Sequence, residues 1–501
     1  MEVLIQSMKL YLPEALLALG IVLLLAADLV LMKRTLWRGG TAVAVALGTL
    51  AAAGLAVAGL VYTVTSDMPV FSGMAVVDPF SNYFKLLFIA GAGIVVLLSW
   101  ASHEVEEPRA SEFYLLLLAM TLGMCLLASA THALMIVLSL EFVSITSYVL
   151  TAFCTRNKRS AEAALKYVLY GAVASAVMLF GFSYVYGLTG RLDIHAFGPT
   201  LAELLGAGTT QKWAASLAVI MVFTGLFYKI AAVPFHLWCP DVYEGAPTPV
   251  SALLSVGPKA AGFAVLIRFF GVALGFAAAP WAALLGIIAA ATMTLGNLAA
   301  IGQNNVKRLL AYSSIAHAGY MLAAVATGST AGIAAVMFYL GIYLCMNLGA
   351  FLVVVMVRDN TGGREDIAAY HGLAQRNPLL AITMTVFLLS LVGLPPLGGF
   401  VGKFYVFAAL LKTAGFWYYA LAVVAVLNSA ISLYYYARII KAMFLLQPEP
   451  DAAGPLTAAR SHTLLALALA AAVLVLGVYW IPLQSLAERS VLHVPGLLVR
   501  P

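Results

Sequence analysis

The 501-residue chain is 63% hydrophobic and 10% charged, which is more apolar surface than a chain folded in water can hide. Its 27 Lys+Arg against 21 Asp+Glu give a net charge of +6; in a bilayer such an excess reflects basic residues holding loops on the cytoplasmic side, and no nucleic acid is needed to explain it. These figures exclude a water-soluble enzyme and predict one all-α polytopic membrane domain over residues 1–501, since about 20 apolar residues per span leave room for about 12 to 15 spans.

The opening segment MEVLIQSMKLYLPEALLALGIVLLLAADLVLMKR has acidic residues ahead of its apolar run and no small-residue cleavage site, so it reads as a retained first helix. Hydropathy and breakers place spans at 10–31, 41–64, 79–100, 112–129, 132–154, 162–187, 212–236, 249–276, 281–302, 308–327, 332–357, 378–411, 418–444 and 463–483, about fourteen transmembrane helices. The odd-numbered connections carry fourteen Lys or Arg, from Lys33 and Arg34 to Arg460, whereas the termini and even-numbered connections carry six, Lys9, Arg191, Lys212, Lys412, Arg489 and Arg500. The positive-inside rule therefore puts both termini on the extracytoplasmic side. The remaining seven basic residues, Lys85, Lys166, Lys229, Lys259, Arg268, Lys403 and Arg438, fall inside predicted helices.

Two stretches share an order of features. RNKRSAEAALKYVLYG and NNVKRLLAYSSIAHAGY are basic loops feeding helices, and each is followed by a span broken at proline. The breaks are at Pro234 and Pro240, and at Pro395, Pro396, Gly398, Gly399 and Gly402. Backbone freed at membrane depth is tolerated only where it faces protein or water, so paired breaks point to a transport site. An odd number of helices, five, separates them, which makes the two halves inverted repeats. The chain then divides into N-terminal helices (1–104), a first repeat (111–276), a second repeat (281–444) and a C-terminal helix (463–483), with a discontinuous helix in each repeat.

Glu141 lies about ten residues into its helix, roughly 15 Å deep. A carboxylate there costs roughly 3 kcal/mol unless neutralised, paired or hydrated. Lys229 precedes the Pro234 break; burial opposes its charge and a nearby carboxylate favours it, so its two protonation states have similar energy. Snorkelling to the headgroups is the competing explanation. Lys259 follows Gly257-Pro258, and Lys403 follows the PPLGGFVG break and has the strongest local context. His317 is a relay candidate because histidine titrates near neutrality, and His236 less so. Glu162 and Lys166 form an i,i+4 pair that suits a local ion pair near the interface. Lys85, Arg268 and Arg438 read as snorkelling or structural, and turn formation accounts for Asp241 and Glu244 in PDVYEGAPTP. Glu141, Lys229, Lys259, His317 and Lys403 thus predict a polar axis along which protons pass by hops. One carboxylate among three lysines makes a poor metal-cation cage. The four cysteines, Cys125, Cys154, Cys239 and Cys345, stand singly, so neither a disulfide framework nor a zinc or iron-sulfur site is indicated.

The segments LFYKIAAVPFHLWCPDVYEGAPTPV, NNVKRLLAYSSIAHAGY and GLPPLGGFVGKFYVF resemble signatures of the antiporter-like membrane subunits of proton-pumping NADH:quinone oxidoreductase, respiratory complex I, and the resemblance covers essentially the whole chain. It lies closest to the bacterial subunit N branch: subunits L and M carry a His-Ala-Ala motif after the PTPVSAL segment, where this chain has Ser255, and subunit L adds a long lateral helix. The resemblance implies a fourteen-helix fold, Glu141 and Lys229 as a modulating pair, Lys259 as central relay and Lys403 as terminal group. It also implies a bacterial inner membrane, neighbouring antiporter-like and small membrane subunits as partners, and NADH, FMN, iron-sulfur clusters and quinone in other subunits, with no cofactor in this chain. Alternatives sharing the pattern are a subunit of a multisubunit sodium/proton antiporter or of a membrane-bound hydrogenase. A structural scaffold with inert buried charges is a third.

Overall fold

Hydrocarbon offers the backbone no hydrogen-bond partner, so a chain this apolar must close its peptide bonds within helices. The computed structural model does so, and it describes residues 7–31, 35–100, 102, 104–206, 208, 210–275, 279–448 and 454–491. Its helices are α1 (Leu12–Leu31), α2 (Thr35–Thr63), α3 (Pro79–Trp100), α4 (Ala110–Ser129), α5 (Ala133–Thr151), α6 (Lys158–Thr189), α7 (Ile194–Gly206), α8 (Thr210–Ile230), α9 (Trp238–Gly245), α10 (Thr248–Arg268), α11 (Ala279–Ile301), α12 (Val306–Val325), α13 (Thr330–Asn360), α14 (Pro378–Val392), α15 (Gly398–Lys412), α16 (Phe416–Leu445), α17 (Arg460–Val478) and α18 (Ile481–Val491). A short antiparallel hairpin, β1 (Met68–Val70) and β2 (Ala75–Val77), lies between α2 and α3.

Among the described residues twelve helices are long and apolar enough to cross a membrane. Of the expected spans, α12 is not among the twelve, because it carries Lys307, Arg308, Ser313, Ser314 and His317. The expected span at 378–411 is two helices, α14 and α15, broken over Gly393–Leu397. The helices α7 and α9 and the hairpin occupy what the sequence pattern left as connections, and α18 begins at the end of the last expected span and runs beyond it. Lys33, Arg34 and Arg500, which entered the charge count, lie outside the described residues.

The core is organised around α10, every residue of which is buried. A helix buried on all sides belongs in the interior, where α10 packs against α3, α8, α13 and α4 and its Lys259 and Arg268 find partners inside the protein. Its last residue, Arg268, makes a bidentate pair with Asp78 at 3.0 and 3.2 Å and also donates to Ala128 O at 3.0 Å. Asp78 in turn caps α3: Ser81 N donates to its Oδ1 at 2.7 Å and Asp78 N donates to Ser81 Oγ at 3.1 Å, a reciprocal cap that satisfies orphan N–H groups at the helix start. Arg268 is therefore structural rather than snorkelling. Lys85 does not snorkel either: it is fully buried, 2.7 Å from Glu14.

At the opposite end of α10 lies a network of charges. Lys307 is buried and donates to Ala246 O at 2.7 Å and to Glu365 Oε1 at 3.0 Å, so it is a helix residue turned inward and not a loop cation. Arg308 pairs with Asp241 at 2.6 Å and Glu244 at 2.9 Å, while Lys166 bridges Asp241 at 2.8 Å and Glu162 at 2.9 Å. This corrects the turn reading of Asp241 and Glu244: both sit on α9 and tie it to α12 and α6. Burial alone would raise the Glu365 carboxyl, but the Lys307 ammonium, hydrogen bonds from Lys307 and Asn305, and Arg358 hold it below the usual carboxylate range. A lowered native pKa adds stability that is present above the ordinary carboxylate range and is lost as pH falls through the lowered value.

The second break depends on close backbone approach. A Cβ on Gly399 would overlap the Ser390 carbonyl oxygen, whereas Gly187, on the exposed face of α6, has open space around it. Gly399→Ala is expected to abolish accumulation of folded protein and Gly187→Ala to leave it unchanged, as read by fluorescence-detected size exclusion of the detergent-solubilised protein.

Candidate functional site

The chemistry-bearing side chains gather where helices break. The first break lies between Ile230 and Trp238, and the carbonyls and amides it frees are used: Trp238 Nε1 donates to Tyr228 O at 3.2 Å and Val233 N donates to Thr292 Oγ1 at 3.0 Å. Just before it, Lys229 is 1% exposed and donates to Ser144 Oγ on α5 at 3.1 Å. With no route to the headgroups, snorkelling is excluded for Lys229. Glu141 lies three residues before Ser144 on the same face of α5. Glu141 Oε1 is buried with no hydrogen-bond partner, so the lysine rests on the hydroxyl and its donor does not go to the carboxylate.

Lys259 comes next. A Cβ added at Gly262 would meet Ile230 Cγ2 at 2.7 Å and stand 3.3 Å from Lys229 Cγ, and Gly262 is one turn after Lys259 on α10. Lys259 is 1% exposed, donates to Ser314 Oγ at 2.6 Å and lies 5.7 Å from the Tyr243 ring centroid. From here α12 carries the line, because Ser314, His317 and Tyr320 at i, i+3 and i+6 form one polar stripe on a helix. His317 Nδ1 shares a hydrogen bond with Tyr339 OH at 2.6 Å, and Nε2 approaches Tyr436 OH at 3.5 Å. Tyr436 also bonds Ser313. Tyr320 OH accepts from Asn297 at 3.2 Å, and its ring centroid is 4.7 Å from Lys403 Nζ.

Lys403 is 3% exposed and donates to Val392 O at 2.7 Å and Ser429 Oγ at 2.9 Å. Val392 is the last residue of α14, so the ammonium sits at the negative end of that helix's dipole, on a carbonyl that the break left unbonded. Gly393 makes this possible. Its φ of +90° suits glycine, and an added Cβ would crowd Lys403 Cδ at 2.8 Å.

Lys229, Lys259, His317 and Lys403 are buried and are linked through these contacts across α8, α10, α12 and α15, while Glu141 stands half-buried on α5, one turn from Ser144. His236, inside the first break, is buried with Nδ1 unpartnered. At the end of α10 away from Arg268, a cavity of about 770 Å³ is walled by Glu104, Arg109, Arg156, Lys158, Lys307 and Glu365, among others. No group of three or more His, Cys, Asp or Glu among the described residues is arranged to hold a metal ion.

Residues 130–431 match the family described as NADH:quinone oxidoreductase/Mrp antiporter, TM. The NADH-quinone oxidoreductase subunit N of Anaeromyxobacter sp. (strain Fw109-5) is 47% identical over 500 residues, covering 95% of each chain. The chain belongs to the NADH:quinone oxidoreductase/Mrp antiporter family. A Sorangium cellulosum member of this family, NADH-quinone oxidoreductase subunit N 2, is 46% identical over 97% of this chain and 98% of its own. A chain of respiratory complex I from Thermus thermophilus with bound aureothin superposes with a TM-score of 0.77 at 36% identity, over 95% of this chain and 99% of that one. A chain of the Mrp complex from Dietzia sp. shares the fold, with a TM-score of 0.82 at 23% identity over 96% of this chain and 97% of that one.

Within this family member the sequence reading missed the neutral partners: Ser144, Ser314, Ser429, Tyr243, Tyr320, Tyr339 and Tyr436. The one signal available was spacing, since Ser314 and Tyr320 flank His317 at helical intervals. Tyr320→Phe retains the ring face under Lys403 and is expected to keep near-normal proton translocation per assembled complex. Tyr320→Leu removes a contact of about 1 kcal/mol and is expected to lower translocation severalfold, measured as acidification of inverted vesicles.

Proposed function

We propose that this chain is the proton-translocating subunit N of a bacterial NADH-quinone oxidoreductase, a translocase subunit that moves protons while electron transfer runs in other subunits. One observation carries the reading. Four titratable cations or potential cations, Lys229, Lys259, His317 and Lys403, occupy one buried line in which the three lysines donate to hydroxyls or a carbonyl and the histidine bonds tyrosine hydroxyls. An ammonium paired with a carboxylate is held charged, whereas one resting on a hydroxyl gains less from its charge and gives up a proton more readily. Each lysine then alternates between charged and neutral states as its neighbours change, and Glu141 sets the balance at Lys229.

The basic cavity serves as the uptake vestibule on the cytoplasmic side, which puts both termini on the other face of the bacterial inner membrane. The segments 111–276 and 281–444 act as inverted halves with one break each, Lys229 just before the first and Lys403 just after the second. NADH, FMN, iron-sulfur clusters and quinone belong to other subunits, and neighbouring antiporter-like and small membrane subunits are the partners through which the driving charge displacement arrives. Moving one charge against 100 mV takes about 2.3 kcal/mol, within reach of a change in the protonation of an adjacent buried group.

Lys229→Ala and Lys403→Ala, assembled in the complex, are expected to lower the proton-to-electron ratio of NADH-driven pumping in inverted vesicles or to collapse turnover, at unchanged amounts of complex. Normal ratios in both variants would favour an inert scaffold, and a requirement for sodium would favour a sodium/proton antiporter.

A further inference from the structure

A second buried charge cluster stands apart from the axis, among α1, α3, α4 and the end of α10. One face of α3 carries Asp78, Asn82 and Lys85 at i, i+4 and i+7, all fully buried. Arg268 meets Asp78 at one end of this stripe and Glu14 of α1 meets Lys85 at the other. The two pairs differ in how they are held. Arg268 and Asp78 are joined by two hydrogen bonds, with a third from Arg268 to Ala128 O and a fourth from Ser81 N to Asp78. Such a pair is locked. Glu14 and Lys85 approach to 2.7 Å, yet the contact lacks hydrogen-bond alignment, and neither carboxylate oxygen nor the ammonium has a hydrogen-bond partner. Asn82, between the two pairs, has both its amide nitrogen and its oxygen buried and unpartnered.

A buried ion pair repays its desolvation only when further hydrogen bonds satisfy both groups. Without them the ionised pair and the neutral pair, reached when a proton leaves Lys85 Nζ for Glu14 Oε1, approach each other in energy. The transfer leaves an amine and a carboxylic acid and no net change in charge. The groups facing this pair are the Tyr11 ring, 5.1 Å from Lys85 Nζ, and Cys125, with Arg268 acting on Tyr11 from further off. Lys85 is six residues into α3, about 9 Å from the helix start. Arg268 is nine residues beyond Lys259 on α10, about 13.5 Å further along. The cluster therefore lies past Lys259 at the end of α10 opposite the basic cavity.

We propose that Glu14 and Lys85, with Asn82 beside them, form a second proton-holding site on the far side of Lys259 from the uptake cavity, distinct from the locked Arg268–Asp78 pair. The inference rests on the proton-translocating reading above. The site takes up a proton displaced toward it and releases it on the face bearing the hairpin, with Glu14 as the group whose protonation changes.

The test uses the intact complex carrying Glu14→Gln, Lys85→Met or both, with Lys403→Ala as reference. Two quantities are read: the proton-to-electron ratio in inverted vesicles, and the infrared difference spectrum on reduction by NADH in the region of protonated carboxyl C=O stretching. The expected result is a carboxyl band in the unaltered complex that is missing in Glu14→Gln, together with a lowered ratio in Glu14→Gln and in the double variant. Should either single variant fail to assemble, the double variant, which removes both charges together, decides. A double variant that assembles and pumps with an unaltered ratio, or a band that survives Glu14→Gln unchanged, overturns the site and leaves a static ion pair. If Lys403→Ala also pumps normally, the translocation reading fails with it; if Lys403→Ala is impaired while the double variant is normal, the second site alone falls.

Discussion

A cation in hydrocarbon must find oxygen, and in this protein the choice of oxygen organises the interior. Lys229, Lys259 and Lys403 each donate to a serine hydroxyl, and Lys403 also to a helix-end carbonyl. Arg268, by contrast, is given a carboxylate in bidentate geometry. A hydroxyl partner keeps the ammonium from the full cost of desolvation without fixing its charge, and a carboxylate in full hydrogen-bond register fixes it. The broken helices follow from the same need. The gap after α14 leaves Val392 O free for Lys403 and Ser429, and the gap after α8 places Lys229 beside the glycine face of α10.

Helix α12 joins the two breaks. Ser314 receives Lys259, His317 bonds Tyr339, and Tyr320 lies under Lys403, so three residues one turn apart span from Lys259 to Lys403. Because they share a face of one rigid helix, their spacing is set by helix geometry and not by loop conformation. The histidine stands between two tyrosine hydroxyls from α13 and α16, and its two ring nitrogens allow a proton to arrive on one and leave from the other.

Much of this was legible in the sequence because charge in an apolar run is conspicuous. Glu141, Lys229, Lys259 and Lys403 stand out for the cost of burying them, and Pro234 and the PPLGG run mark the breaks. The hydroxyl partners were illegible for the opposite reason: serine and tyrosine are common in membrane helices, and only tertiary contact shows that Ser144 faces Lys229 from 85 residues away. Lys85 was left between snorkelling and a structural role because it sits within two turns of a helix start, where snorkelling is the ordinary outcome; the packing of α1, α3 and α4 closes that route and puts Glu14 against it. Asp241 and Glu244 looked like turn residues because PDVYEGAPTP is rich in turn formers, and their cationic partners, Lys166 and Arg308, come from helices distant in sequence.

If protons pass from Lys259 to Lys403, the two lysines act in series rather than independently. Residues acting as a unit show non-additive losses. The direct measurement is a double-mutant cycle of Lys259→Met and Lys403→Met on NADH-driven proton pumping, normalised to assembled complex. The double variant is expected to pump no worse than the poorer single variant. Losses that multiply, each substitution reducing pumping by the same factor with or without the other, would contradict action in series.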